Sequence, residues 1–431
     1  MRPVYALTAL SMALLLSACG AGKDNPQAHG ADPKLPQSER GLLPSMKIAE
    51  PVAWGDQKPK VPEGYSISAI ATDLKVPRQT LVLPNGDILI AEGKGGTDAP
   101  KLKPKDVIAS YIKAEGNTKV KGGNRLTLLR DADGDGKYEL KTVFAENLNA
   151  PYGLAYANGK LYVANQDSLV RFDYTDGQTR ASGEPVTLTE LPAKINHHWT
   201  KSLAITPDGN TLYVGIGSNS NVTERGMEVE LDRAQIWQID AKTGAHKPYA
   251  TGTRNPTSLK IQPGTGVLWA VANERDELGE DLVPDYLTSI REGAFYGWPY
   301  SYWGQNVDTR AQPQDPKKVA LAVKPDYSLG SHVAALGLDF SIPAMGDKFA
   351  DGVFVGEHGS WNRENPVGYK VVFVPFSNGK PSGEPVDFAT GFRDDDGKTR
   401  GRPVGVTVDP RGGVIIADDL SNTVWRVTRN R

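Results

Sequence analysis

The sequence predicts an all-β chain folded as a six-bladed β-propeller. A Gly or Asn-Gly turn followed by a short β-rich run recurs six times. The runs are DILIAEG after Asn85-Gly86, KLYVANQ after Asn158-Gly159, NTLYVGIGS after Asp208-Gly209, VLWAVANE after Gly266, VFVGEHG after Gly352 and VIIADD after Gly412-Gly413. Most of these runs are followed by a further strand closed by a polar turn, as in RLTLLRDADGDG, SLVRFDYTDG, QIWQIDAKTG and YKVVFVPFSNG. Gly 46 and Pro 31 in 431 residues exceed the average share of turn formers, which suits many short strands. Irregular repeats of this size read as blades with loop insertions.

The elements follow in chain order. Arg2, an apolar run from Ala6 to Leu16 and the small residues before Cys19 form a secretory signal, too short to span a bilayer as a mature helix. Leu16-Ser17-Ala18-Cys19 resembles a bacterial lipobox, which implies that Cys19 is acylated after cleavage. Gly20-Ala21 lacks an acidic retention signal, so the expected location is the periplasmic face of the outer membrane, with contact to the membrane only through the lipid anchor. Residues 1–19 are thus a signal, 20–59 a flexible Pro-rich tether and 60–431 the propeller. The first strand, Tyr65 to Ile70, is expected to complete the last blade, about Gly405 to Thr428, and so remove the open sheet edges. The six turn-led runs are expected to be the inner strands. The wide interval from Gly266 to Gly352 leaves room for a seventh blade. No helical stretch exceeds Asp106 to Ala114.

Composition excludes several functions. Cys19 is the single Cys, so the mature fold has no disulfide framework, no multi-thiolate metal site and no C-x-x-C-H haem. Lys+Arg 49 against Asp+Glu 51 gives no electrostatic case for nucleic acid.

Functional residues of a propeller are expected where strands meet the crown loops. His198, in NHHWTKSL, is one of only six His and suits a general base, although a lone His is more often structural. Arg254-Asn255 precedes Pro256 in a fixed turn; the guanidinium suits an anionic ligand or simply braces the turn. Residues 273–281 are rich in carboxylates and suit a hard cation such as Ca²⁺, or form a solvated acidic loop. His358, Trp361, Arg363 and Arg402 complete a set able to hold a flat anion. Asp131-Ala132-Asp133-Gly134-Asp135-Gly136 matches the first half of an EF-hand loop, but Thr142 stands where a bidentate Glu is required, so it reads as a polar outer turn.

Together these strings resemble the PQQ-dependent sugar dehydrogenases, in particular the L-sorbosone and glucose/sorbosone branch. PRQTLVLPNGDILIAEG, TRNPTSLKI, NERDELGEDLVPDYL, FYGWPYSYWGQ, EHGSWNR and GRPVGV occur in family order from Tyr65 to Val427. The resemblance implies a PQQ- and Ca²⁺-dependent oxidoreductase acting on a sugar or sugar aldehyde. It assigns His198 as general base and Arg254 as the stabiliser of developing negative charge. Arg78, Arg254, Asn255, His358, Trp361, Arg363 and Arg402 become PQQ contacts, and the backbone carbonyls of Glu274 and Arg275 hold Ca²⁺. The sequence departs from the soluble glucose dehydrogenases at Ser202, where they carry an Arg, and in the 357–363 stretch, where they use a Lys. Lacking a haem motif, the protein needs a separate electron acceptor, a quinone or a cytochrome. Residues 94–121 carry seven Lys; they dock an acidic acceptor, lid the site, or are a solvated insertion. Two other classes remain open, a Ca²⁺-dependent lactonase-type hydrolase and a non-catalytic envelope propeller.

Overall fold

A computed structural model describes residues 28–39, 46–47, 49–96 and 104–430; the apolar run and Cys19 lie outside them. Six antiparallel four-stranded units surround a channel. Blade 1 comprises Pro77–Val82, Ile88–Glu92, Arg125–Arg130 and Leu140–Ala145, from the axis outward. Blade 2 comprises Gly153–Ala157, Lys160–Ala164, Ser168–Asp173 and Val186–Glu190; blade 3 comprises Lys201–Ile205, Thr211–Ile216, Gln235–Asp240 and His246–Thr251. Blade 4 uses Pro256–Ile261, Leu268–Ala272, Pro284–Ser289 and Tyr327–Ser331; blade 5 uses Ala335–Phe340, Gly352–Glu357, Lys370–Ser377 and Val386–Ala389. Blade 6 joins Pro403–Asp409, Gly413–Asp418 and Thr423–Arg429 to the first long strand, Tyr65–Ala71. That closing pair runs from Tyr65 opposite Arg429 to Ala71 opposite Val424. The innermost strands of all six blades touch their neighbours in a closed ring.

The turn-led runs are therefore the second strands of the blades and not the inner ones. The reason is burial on two faces. Ile88–Glu92 and Leu268–Ala272 are buried at every residue because neighbouring blades cover both sides, which makes their sequences continuously apolar. The innermost strands crowd at the axis with small residues such as Gly153, Ala155, Ser202 and Ala204 lining the channel. The interval before Gly352 holds no seventh blade. It contains an excursion from blade 4 with the strand pair Ser301–Tyr302 and Asn306–Val307 and the helix Pro316–Leu321, capped by Asp315.

Where residues 20–59 are described, they lie on the propeller and do not stand away from it. His29–Gly30 adds a fifth strand to blade 4, and Glu50–Pro51 pairs with Lys398–Thr399. Trp54 wedges edge-on between Phe392 and Trp425, with ring centroids 5.6 and 5.3 Å away, and donates from Nε1 to Asp418. Burying an aromatic body while its N–H meets a carboxylate holds the strap down. The insertion in blade 1 forms the helix Pro104–Glu115, which starts two residues before and ends one residue after the stretch legible in sequence.

Candidate active site

Each second strand ends, and each innermost strand begins, on the same face of the propeller. That face collects the sequence-derived residues. Arg78 opens the innermost strand of blade 1, His198 precedes that of blade 3, Arg254 and Asn255 that of blade 4, and Arg402 that of blade 6. Glu274 follows the second strand of blade 4, and His358 and Trp361 follow that of blade 5. Two cavities lie here, of about 410 and 140 Å³, and share His198, Asn273, Ala334 and Trp361. The larger also takes Arg78, His358, Tyr369, Arg402 and Asp419; the smaller takes Arg254, Asn255, Glu274, Asp276 and His332. A still larger cavity of about 650 Å³ is the opposite end of the channel and contains none of the expected site residues.

His198 is held in one tautomer, as a neutral ring. Its Nδ1 lies 2.7 Å from the Ser218 carbonyl oxygen, which can only accept, so Nδ1 carries the proton and Nε2 keeps the lone pair. Burial, reinforced by the Arg254 and His197 charges, holds its pKa well below the usual 6.5, so the ring is neutral at neutral pH. Arg233 fixes the backbone around it, donating to the carbonyls of His198 at 2.9 Å and Gly217 at 2.8 Å. Gly217 is required by close approach: a Cβ there would lie 2.5 Å from the Cβ of His198 and 2.4 Å from Asn255 Oδ1.

Arg254 is buried, donating to the Glu274 carbonyl at 2.7 Å and to Asn221 Oδ1 at 3.1 Å, with Asp276 at 3.8 Å. Arg402 spreads its fork over three acceptors, the carbonyls of His358 (3.0 Å) and Gly359 (2.8 Å) and Asn117 Oδ1 (3.0 Å). Arg78 pairs with Asp419 and lies over the Tyr152 and Trp199 rings at 5.5 and 5.4 Å. His358 Nε2 donates to the other oxygen of Asp419 at 2.9 Å. Burial first, then the Arg402 charge, pushes His358 down to about 4, while its neighbouring cations hold Asp419 well below the carboxylate range despite burial. Glu274 is pushed up to about 8 and Asp285 to about 6, both by burial. His332 is raised because Asp276 outweighs its burial; its Nε2 donates to the Gly279 carbonyl at 3.0 Å.

One expected side chain stands apart from both cavities. The Arg363 side chain lines neither cavity; it braces the loop of blade 4, donating to the Glu280 carbonyl and to Asp281 at 2.9 Å. The Arg275 side chain is buried against Asp308 at 2.8 Å. Conversely, the blade 1 insertion supplies Lys94, Ile112, Asn117 and Thr118 to the wall of the larger cavity, and the strap supplies Lys47 and Ala49, so both form its roof. Lys47, Asn117, Ser218, Arg233, His332 and Asp419 had no local sequence signal; each is brought in from a distant segment. The DADGDG turn sits on the opposite face, where Glu139, at the ninth position, joins Asp131, Asp133 and Asp135 closely enough to hold a metal ion.

Comparison with known proteins gives the family and the fold. A model of the TrAA12-like family matches residues 59–430. The chain belongs to the TrAA12-like family. A relative of this TrAA12-like chain from Coprinopsis cinerea, a pyrroloquinoline quinone-dependent pyranose dehydrogenase, is 43% identical over 344 residues, which cover 69% of this chain. The chain spans only 45% of that relative's length. An uncharacterized protein of Borreliella burgdorferi is 28% identical over 298 residues, covering 66% of this chain and 76% of that one. Among solved structures, the holo PQQ domain of the Coprinopsis cinerea pyranose dehydrogenase superposes with a TM-score of 0.69, covering 90% of this chain and all of that domain at 20% identity. The PQQ-bound aldose sugar dehydrogenase of Streptomyces coelicolor superposes at 0.55, covering 86% and 99% at 15% identity. At these identities the superpositions establish a shared fold.

Proposed function

We propose that the protein is a PQQ-dependent oxidoreductase that oxidises a sugar or sugar aldehyde, with His198 as general base. The observation that carries this reading is the tautomer of His198: a neutral ring whose basic nitrogen is left to two joined cavities flanked by guanidinium groups. The TrAA12-like match and the named activity of the Coprinopsis relative support the same chemistry.

The residues suit the cofactor. Arg78, Arg402, Lys47 and Lys94 give the larger cavity the positive lining that a tricarboxylate needs, and Arg78 Nε is buried without a protein partner. When bound, PQQ would supply the ortho-quinone that accepts the hydride and, with it, both electrons. Arg78 and Arg402 would hold its carboxylates, and Trp361 and Tyr369, which wall the cavity, would exclude water. His198 Nε2 takes the proton of the substrate hydroxyl or aldehyde hydrate. Arg254 lies where its charge offsets the negative oxygen formed as that proton leaves. For calcium, Asn273 and Asn255 each keep a buried Oδ1 with no partner beside Glu274 and Asp276, a hard oxygen set of the kind Ca²⁺ takes. The Glu274 carbonyl, one of the expected ligands, already accepts from Arg254.

The finer reading is a sorbosone-type substrate, a lipid anchor at Cys19 on the periplasmic face of the outer membrane, and a separate quinone or cytochrome acceptor. The test is reconstitution of the full chain with PQQ and Ca²⁺, followed by dye-coupled oxidation of a sugar panel. PQQ absorbance changes on binding and dye reduction by at least one sugar are expected. Absence of PQQ binding would overturn the proposal, and binding without turnover would leave a non-catalytic propeller.

A further inference from the structure

The face that carries the two cavities also carries most of the exposed apolar side chains. On the helix Pro104–Glu115, Val107, Ile108 and Tyr111 are 51, 45 and 63% exposed. Tyr111 follows Ile108 by three residues and Val107 by four, so the three form one patch on the helix surface. Ile112, four residues after Ile108, borders this patch and lines the larger cavity, so the patch adjoins the cavity rim. Leu231, 75% exposed, and Met227 lie on the loop that leaves the second strand of blade 3, on the same face. Lys119 and Lys121, both exposed, follow the helix, and the helix Pro104–Glu115 with residues 116–121 carries four Lys against Asp106 and Glu115. An amphipathic helix with aromatic and aliphatic residues outward and lysines at its rim is the pattern of a segment that lies in a membrane interface.

The path of the chain selects the occupant. His29 pairs antiparallel with Leu329 and Gly30 with Ser328, so Ala28, where the described segment begins, lies toward the Ser331 end of that strand. Ser331 leads, through residues 332–334, into the innermost strand of blade 5, and therefore marks the cavity face. Eight residues separate Ala28 from Cys19, a reach of about 30 Å at most. A lipid on Cys19 would thus be tethered close to Ala28, which sits at the edge of blade 4 toward the face where the helix patch is exposed. We propose that the cavity face rests on a phospholipid bilayer bearing anionic headgroups, with Val107, Ile108 and Tyr111 seated in the interface and Leu231 as a second contact. The arrangement turns the mouth of the active site toward the lipid surface.

The test compares two full-length proteins, one carrying Cys19→Ser and one carrying Cys19→Ser with Val107→Ser, Ile108→Ser and Tyr111→Ser. Both retain residues 6–16, so any membrane affinity of that run cancels in the comparison. Co-sedimentation is measured with vesicles of phosphatidylethanolamine and phosphatidylglycerol and with vesicles of phosphatidylcholine. The expected result is binding of the first protein to the anionic vesicles, weakened by salt, and binding at least about tenfold weaker for the second. Thermal melting confirms that the exposed substitutions leave the fold intact, and Leu231→Ser provides a further variant remote from the helix. Equal vesicle binding by the two proteins overturns the proposal. So does a dimer in size-exclusion chromatography that the triple substitution dissociates without any vesicle binding, because a second copy of the chain would then cover the patch.

Discussion

His198 Nδ1 is 2.7 Å from the carbonyl oxygen of Ser218, a residue twenty positions away on the next strand connection. This contact decides the tautomer, and with it the atom that can receive a proton. Without it the ring could rotate, and its basic nitrogen would no longer be committed to the cavities.

Replacing His198 by Ala is expected to lower turnover by about 10² to 10⁴ while PQQ binding persists, because a positioned base is worth that much in a proton transfer. Dye-coupled rates and a PQQ absorbance titration measure the two effects separately. Near wild-type turnover would remove His198 from the mechanism.

The pH dependence follows from burial. The His198 pKa lies well below 6.5, so its neutral form persists as the medium is acidified. The rate kcat/KM should therefore stay level through 6.5 and decline only at distinctly lower pH. An acid limb centred at or above 6.5 would contradict the desolvated environment assigned to the ring.

Arg402 and Arg363 provide a matched pair. Lys at position 402 keeps the charge but cannot serve three acceptors in one plane, so PQQ affinity should fall by about tenfold to a hundredfold. Arg363→Lys, outside both cavities, should change PQQ affinity by no more than about twofold. Equal losses from the two substitutions would show that the cavity is drawn wrongly.

Glu274 offers a stability test. Its folded pKa, about 8, stands above the ordinary 4.5 because burial disfavours the carboxylate. The folded chain thus holds this proton more tightly than the unfolded chain. The resulting stabilisation is complete below 4.5 and is lost as pH rises through 8. Glu274→Gln, which cannot ionise, should melt close to wild type at pH 5 and several degrees higher at pH 8.5, in line with a gain of about 1–3 kcal/mol. A melting difference independent of pH would refute the linkage.

Trp54 tests the strap. Truncation to Ala removes its edge contacts with Phe392 and Trp425 and one donor to Asp418, at a cost of about 1–3 kcal/mol for a half-buried ring. Because Lys47 and Ala49 roof the larger cavity from the same strap, PQQ should also dissociate faster. Urea unfolding and the PQQ off-rate are the measurements.

The sequence by itself determined the propeller class, the closing strand and the residues that gather on one face. Glycine turns, doubly apolar second strands and polar outer turns are local properties, written in consecutive residues. So are the strings around Arg78, His198, Arg254, His358 and Arg402, which all reach the same face because each sits where a strand meets a crown loop. Tertiary structure decided which strand lies innermost, since two short apolar runs flank every glycine turn and only packing at the axis separates them. It also decided that Arg363 serves as a brace, that Asp419 joins Arg78 to His358, and that Lys47 and Asn117 roof a cavity whose other walls lie hundreds of residues away. Those are contacts across the closed ring. No run of neighbouring residues encodes them, because burial and the direction of a side chain exist only once all six blades have met around the axis.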